Sequence, residues 1–310
     1  MRVHGGGPDA RVRCGERPLD PRAGAPRVRR PRGSPQSDRG GSAGAATVKV
    51  REVAALSAIV PSRLPGLAYA LNPYRGCQTA CRYCYAPAIL HDTRPWGGYV
   101  EVKRNLPFIL ARELKRADLG VVGIGTVTDG YQAIEGRYNV TRYCLEVLLR
   151  TDWPISIQTK SSLVLRDLDL LTKFTKKDVG VTITTMDETM QRVLEPYASP
   201  AKKRLETLQR LNEAGIETWA FIGPILPLAT EVRLEALLSG IAEAGTKKVL
   251  VDRLRLKEGT WAMLEPSLRG LAEDLPGTYE KALEGRYFRD MERTIIDLAA
   301  RHGLSAESAF

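Results

Sequence analysis

Three cysteines within eight positions constrain this chain more than any other feature. Cys77, Cys81 and Cys84 lie in LNPYRGCQTACRYCYAP, from Leu71 to Pro87, with three and then two residues between them. Thiolates are soft ligands that suit zinc, copper(I) and iron–sulfur clusters. Three ligands leave a tetrahedral metal, or one iron of a cubane, with an open position, which a metal needs for chemistry rather than for holding a fold. Of the 310 residues only five are cysteine, too few and too clustered for a disulfide scaffold. Thiols kept for metal work imply a reducing, cytoplasmic setting. The sequence contains no run of 18 apolar residues to read as a membrane span and no apolar core of a signal peptide at its start.

The net charge of +10 is unevenly placed. Residues 1–50 hold ten Arg and one Lys against four acids, so +7 lies there and only +3 on the other 260 residues. Residues 1–46 are rich in Arg, Gly, Pro and Ser, cannot bury enough surface to offset ordering entropy, and are expected to be a disordered basic tail. The tail is either an arm for phosphates or a dispensable extension. The body is close to neutral, which weakens a nucleic-acid reading from composition.

From Val48 onward short apolar runs alternate with amphipathic stretches. The runs are Leu67–Leu71, Val121–Val127, Ile155–Gln158, Val179–Thr184, Glu217–Ile222 and Lys248–Val251. Helical patterns lie between them at Pro107–Ala117, Tyr138–Arg150, Leu165–Phe174, Pro200–Ala214 and Glu231–Ala244. Spacers of this length allow right-handed crossovers and a parallel sheet. Six strands with intervening helices favour an α/β barrel or partial barrel, in which chemistry lies at the C-terminal strand ends. The cysteine loop follows the first strand, at such an end. Beyond it, Tyr279–Arg301 is expected to be one amphipathic helix, with Phe288, Met291, Ile295, Ile296 and Leu298 as its buried stripe. Cys144 falls on a helical stripe with Leu148 and is expected to be a core thiol.

The cysteine loop, with aromatic Tyr83 before its last cysteine, resembles the signature of radical S-adenosylmethionine (SAM) enzymes. TDGYQAIEGRYNVTR, TKSSLVLRDLDLL and LEPYASPAKKRLETLQRL narrow the resemblance to the spore photoproduct lyase-like family, from about Leu67 to Pro227. The resemblance implies a partial (β/α)6 TIM-type barrel, expected over residues 47–255; residues 256–310 lie outside the resemblance and are expected to be a C-terminal helical extension packed on the barrel. It also implies a 4Fe–4S cluster on Cys77, Cys81 and Cys84, with SAM on the fourth iron and an external electron donor of flavodoxin or ferredoxin type. The activity it implies is reductive cleavage of SAM to a 5′-deoxyadenosyl radical that abstracts hydrogen from a substrate the sequence does not identify. A nucleic-acid lesion lyase, and a non-enzymatic zinc- or cluster-binding module, are the alternatives.

Further site residues follow from the resemblance. Tyr83 is expected near the adenine, or as a ring filling the barrel mouth. Thr128 or Asp129 would hold the SAM ammonium, the alternative being a helix cap. Lys160 suits the SAM carboxylate as a point charge, with Arg166 as a second charge. Thr182 and Thr184 share a strand face, and a polar residue there would reach the ribose. Glu195 would bind a ribose hydroxyl or lie in a solvated turn. One departure stands out. Thr126 occupies the place of the hydrogen-donating cysteine of true spore photoproduct lyases, and an alcohol is a far poorer hydrogen-atom donor than a thiol.

Replacing any one of Cys77, Cys81 or Cys84 with Ala is expected to abolish iron binding, whereas Cys14→Ala and Cys144→Ala retain it. Iron and sulfide assays after anaerobic purification check this, and full iron content in a loop variant would refute the ligand assignment.

Overall fold

The computed structural model describes residues 48–309, so the expected basic tail, residues 1–46, lies outside the described residues. The strands, in chain order, are β1 (Lys49–Val53), β2 (Ile59–Pro61), β3 (Tyr69–Leu71), β4 (Tyr74–Arg75), β5 (Tyr99–Lys103) and β6 (Val122–Ile124). They continue with β7 (Ile155–Thr159), β8 (Lys177–Thr182), β9 (Glu217–Ile225), β10 (Lys248–Arg253) and β11 (Ser305–Ser308).

Strands β3, β6, β7, β8, β9 and β10 pair side by side, all parallel, at the places where the apolar runs predict them. Parallel strands covered on both faces carry near-continuous apolar runs. Leu71, Ile157, Val181, Ile222 and Val251 are accordingly fully buried. The sheet is an α/β partial barrel with two additions. Antiparallel β2 borders β3, and parallel β11 borders β10 at the other end.

Helices cross between the strands. Val140–Leu149 buries Val140, Cys144, Leu145 and Leu148, so Cys144 is the core thiol its spacing predicts. Ala201–Glu213 buries Ala201, Arg204, Leu208 and Leu211, an apolar stripe interrupted by one arginine.

Several details differ from expectation. The run at Val121–Val127 is a strand only over Val122–Ile124, and Thr126–Thr128 form a bend beyond it. The stretch at Leu165–Phe174 is a 3-10 turn, Ser162–Asp167, followed by a short helix, Leu168–Leu171. The long C-terminal helix divides into Leu275–Glu284 and Tyr287–Arg301 at Gly285, a residue that costs about 1 kcal/mol in a helix interior. Phe288, Ile295 and Ala299 form the buried stripe of the second part. The extension after residue 256 is not wholly helical, because β11 joins the barrel sheet. A second, three-stranded sheet in the order β1-β5-β4 lies beside the cysteine loop. Among the described residues no helix is long and apolar enough to cross a membrane.

Gly180, in the middle of β8, admits the Trp219 indole of β9. A Cβ there would stand 2.2 Å from the ring. The indole cannot swing away, because its Nε1 donates to Asp178 at 2.7 Å and Phe221 packs against it edge-on. Gly180→Ala is expected to lower unfolding free energy by about 1–3 kcal/mol, measured by denaturant titration. Recovery of that loss in Gly180→Ala/Trp219→Leu would tie it to this contact.

Candidate iron–sulfur and SAM site

The cysteine loop leaves β4 through Gly76, whose φ of +85° lies in the left-handed region and whose Cβ would meet the Tyr99 carbonyl at 2.4 Å. Only glycine meets both demands. Two tight turns follow. The Ala80 N–H donates to the Cys77 carbonyl at 3.3 Å, and the Cys84 N–H to the Cys81 carbonyl at 3.2 Å. Cys77 and Cys81 are buried and Cys84 is half-buried. Neighbouring loops fix the rest. The Thr128 hydroxyl donates to the Gly76 carbonyl at 2.8 Å, Gln132 Oε1 accepts from the Gln78 N–H at 2.8 Å, and Gln78 Oε1 accepts from the Ile134 N–H at 2.6 Å.

The thiols feel one another and a common set of charges. Burial pushes the Cys77 thiol up, and the Asp129 carboxylate adds to this. Hydrogen bonds from Thr79 and from the Asp129 N–H oppose it. Burial pushes Cys81 far up and Cys84 up to about 12; the Lys160 charge opposes both, and the Ala86 N–H also opposes the shift at Cys84. Metal ligation requires thiolates, so loading this site must expel protons. Backbone N–H groups aimed at Cys77 and Cys84 are the interactions that tune a sulfur-held cluster. The donor set fits a cubane, in which each thiolate takes its own iron.

Around the thiols the structure sorts the expected site residues into two groups. Lys160 belongs to the first. It follows β7, lies half-buried with Nζ 5.7 Å from the Tyr83 ring centroid, and among the described residues its ammonium has no carboxylate within ion-pair distance. Asp129 places it, accepting from the Lys160 N–H at 2.9 Å, the Thr159 hydroxyl at 2.7 Å and the Tyr131 N–H at 2.8 Å. Tyr85 is partly exposed and donates to the Thr126 carbonyl at 2.6 Å. The Thr126 hydroxyl accepts from Asn72 at 2.9 Å.

The second group is committed to the frame. Glu195 is fully buried rather than in a solvated turn, and it accepts from Tyr83, from Thr184 at 3.0 Å and from Arg204. Burial alone would raise its carboxyl, but Arg204 and Lys160 hold it below the usual carboxylate range. Thr182 is buried and accepts from Gln158 at 3.3 Å, while its carbonyl accepts from Arg204 at 2.9 Å. Thr128 braces Gly76 and accepts from Gln132 at 3.0 Å.

Arg166 does not stand as the second charge of this site. Its guanidinium bonds Glu135 at 2.7 Å, Asp167 at 2.8 Å and Asn139 at 2.8 Å, and it lines an outer cleft with Arg142, Tyr143 and Asp169. Two acidic partners satisfy its charge. Glu135 in turn is buried and accepts from the hydroxyl of Tyr74, three residues before Cys77. Arg204, Glu135, Gln78 and Gln132 are structural supports of the cysteine loop that the sequence reading missed. The available signal for Arg204 was a lone charge on an apolar helical stripe; for the others the pattern carried none.

With this geometry in place, comparison with known proteins fixes the class. The Radical SAM superfamily model matches residues 71–238, and the chain belongs to that superfamily. It is an enzyme of the radical SAM class, whose members work with an iron–sulfur cluster and SAM. An uncharacterized protein of Methanocaldococcus jannaschii is 37% identical over 182 residues, covering 58% of this chain and 69% of that protein. An uncharacterized protein of Mycobacterium tuberculosis is 34% identical over 214 residues, covering 63% of this chain and 62% of the relative, so the match spans less than two-thirds of the mycobacterial protein. In fold the chain is similar to a spore photoproduct lyase double mutant solved with AdoMet and a dinucleoside spore photoproduct. The TM-score is 0.64 at 21% identity, over 84% of this chain and 81% of that one.

Glu195→Gln is expected to cost about 3–5 kcal/mol at pH 7, since it leaves buried Arg204 without its counter-charge. A carboxylate held low in the folded state contributes fully above the unfolded value of about 4.3 and loses its contribution as pH falls through the folded value. The wild-type advantage over Glu195→Gln should therefore shrink between pH 7 and about pH 3. Urea titrations at both pH values check it, and a gap independent of pH would mean the charge of Glu195 is not what stabilises the fold.

Proposed function

We propose that Cys77, Cys81 and Cys84 hold a 4Fe–4S cluster at which this enzyme cleaves SAM reductively and then abstracts hydrogen from an organic substrate. The observation that carries this reading is the three-thiol loop with Lys160 poised beside it. Held by Cys77, Cys81 and Cys84 and reduced by an external donor, such a cluster would supply one-electron reduction of the SAM sulfonium. The chain's own residues bind, orient and exclude water. Among the described residues Lys160 has no ion-pair partner and feels Glu195 only at longer range, so its ammonium suits the SAM carboxylate. Tyr83, tied to Glu195 and lying under the Lys160 ammonium, presents a fixed ring surface near the adenine. Thr128, Asp129, Thr182 and Thr184 act on SAM chiefly through what they position, because their side-chain oxygens are already engaged. The reaction draws on an external one-electron donor, and residues 47–255 would form the catalytic barrel. Repair of a thymine lesion by thiol hydrogen donation is not favoured, since Thr126 carries a hydroxyl bonded to Asn72 at the donor's place.

Reduced, reconstituted protein is expected to form 5′-deoxyadenosine from SAM. Lys160→Ala should raise the SAM dissociation constant by about ten- to a hundredfold, the worth of one charge-assisted hydrogen bond, while iron content stays near wild type. SAM titration and an iron assay on the same preparation check this. Unchanged affinity would remove Lys160 from the SAM site.

A further inference from the structure

A basic face covers the cysteine loop on the side of the small sheet. Strand register places Arg51 of β1, Glu101 of β5 and Arg75 of β4 side by side. Two residues along, Lys49 pairs with Tyr99, and pleating puts both on that same face. The opposite face carries Val100, Val102 and Tyr74, all buried in the core. Arg94 reaches over from the loop before β5. It bonds Asp92 and Glu101 and lies 3.8 Å from the Tyr99 ring centroid.

The charges are layered. The side chains of Asp92 and Glu101 are only 3% and 12% exposed, whereas Arg51, Arg75 and Arg94 above them are 73%, 40% and 41% exposed. The acids anchor the arginines from below, and the solvent meets the cations. Lys49 is exposed, and Lys103 is partly buried at the edge. Four cations, Lys49, Arg51, Arg75 and Arg94, against two sunken acids give a positive surface, while the Lys103 ammonium is turned to the Asn72 carbonyl.

Beneath it the cover is thin. Tyr99 and Trp96 meet edge-on, with centroids 6.4 Å apart, and pack in one small cluster with Cys77 and Ala86. Tyr99 thus touches Arg94 on one side and packs toward the first cysteine on the other. A protein seated here would be one aromatic layer from Cys77.

We propose that the Lys49/Arg51/Arg75/Arg94 face is the docking surface for an acidic one-electron donor protein, which delivers its electron past Tyr99 and Trp96 toward Cys77. This rests on the proposed cluster for its purpose, but docking itself is measurable without turnover. Complementary charge of this kind raises association rates and makes binding fall with salt. A nucleic acid would also meet a positive surface, and the test separates that occupant; the single aromatic layer of Tyr99 and Trp96 over Cys77 is what suits electron entry.

The test uses the reconstituted full-length enzyme, a reduced flavodoxin of net negative charge, and the variant Lys49→Glu/Arg51→Gln, with Arg51→Gln alone as a milder change. Binding is read by anisotropy of the labelled flavodoxin, and SAM cleavage is followed with flavodoxin and separately with dithionite. The wild-type dissociation constant should rise at least tenfold between low and physiological salt. The double variant should bind at least tenfold more weakly at low salt with a flattened salt dependence, while dithionite-driven cleavage stays within twofold of wild type. Wild-type binding that ignores salt, or a variant that binds flavodoxin as well as wild type, would overturn the proposal. So would a DNA or RNA oligonucleotide that binds this face while flavodoxin does not. Loss of cleavage with dithionite in wild type, alongside intact salt-dependent docking, would refute the SAM reaction and leave the docking surface standing.

Discussion

The cysteine loop has almost no regular structure of its own, so its shape depends on two buried carboxylates. Glu195 takes the hydroxyl of Tyr83, one residue before Cys84, and Glu135 takes the hydroxyl of Tyr74, three residues before Cys77. Each carboxylate is matched by an arginine, Arg204 for Glu195 and Arg166 for Glu135. A buried ion pair gives little net stability against an apolar replacement, but removing one partner is severe. The arrangement therefore fixes where two ring hydroxyls must be, and with them both ends of the loop.

Each carboxylate also gathers distant parts of the barrel. Glu195 joins Thr184 beyond β8 to the helix Ala201–Glu213 through Arg204, which further bonds the Thr182 and Ser199 carbonyls. Glu135 accepts from the N–H groups of Thr141 and Arg142 at the start of Val140–Leu149, satisfying donors that a helix start leaves open. Asp129 repeats the device between the loops after β6 and β7. Most of the polar side chains near the cysteines are thus acceptors or donors already matched within the protein. Among the described residues Lys160 is one cation near the thiols without an ion-pair partner, and Arg82 of the loop itself, whose Nε is buried without a hydrogen-bond partner, is another.

The three-stranded sheet serves the same loop from outside. Tyr99 presses on Gly76, and the arginines above it are held by acids the core has taken in. A positive surface is stable there because Asp92 and Glu101 lie within bonding distance of every arginine that crowds it.

The sequence by itself determined the barrel strands and the clustering of three cysteines in one loop. Both signals are local: apolar runs of strand length separated by crossover-length spacers, and thiols a few residues apart. It also determined that Cys144 is a core thiol, from its place on a helical stripe. Tertiary structure decided what the charged and hydroxyl residues do. Arg166 and Lys160 lie six residues apart in one segment, yet Arg166 pairs with Glu135 and Asp167, whereas among the described residues Lys160 has no ion-pair partner and acts on Glu195 only at longer range. Glu195 became the interior anchor because Arg204, nine residues on, folds back beneath it. The sheet β1-β5-β4 and the edge strand β11 escaped the sequence reading for the same reason. β1 and β11 lie fifty or more residues from their pairing partners and β4 lies more than twenty-five from its own, and β1 and β11 are largely exposed, so no apolar run marks them. Periodicity reports which face of an element is buried, but only the folded chain decides which partner waits there.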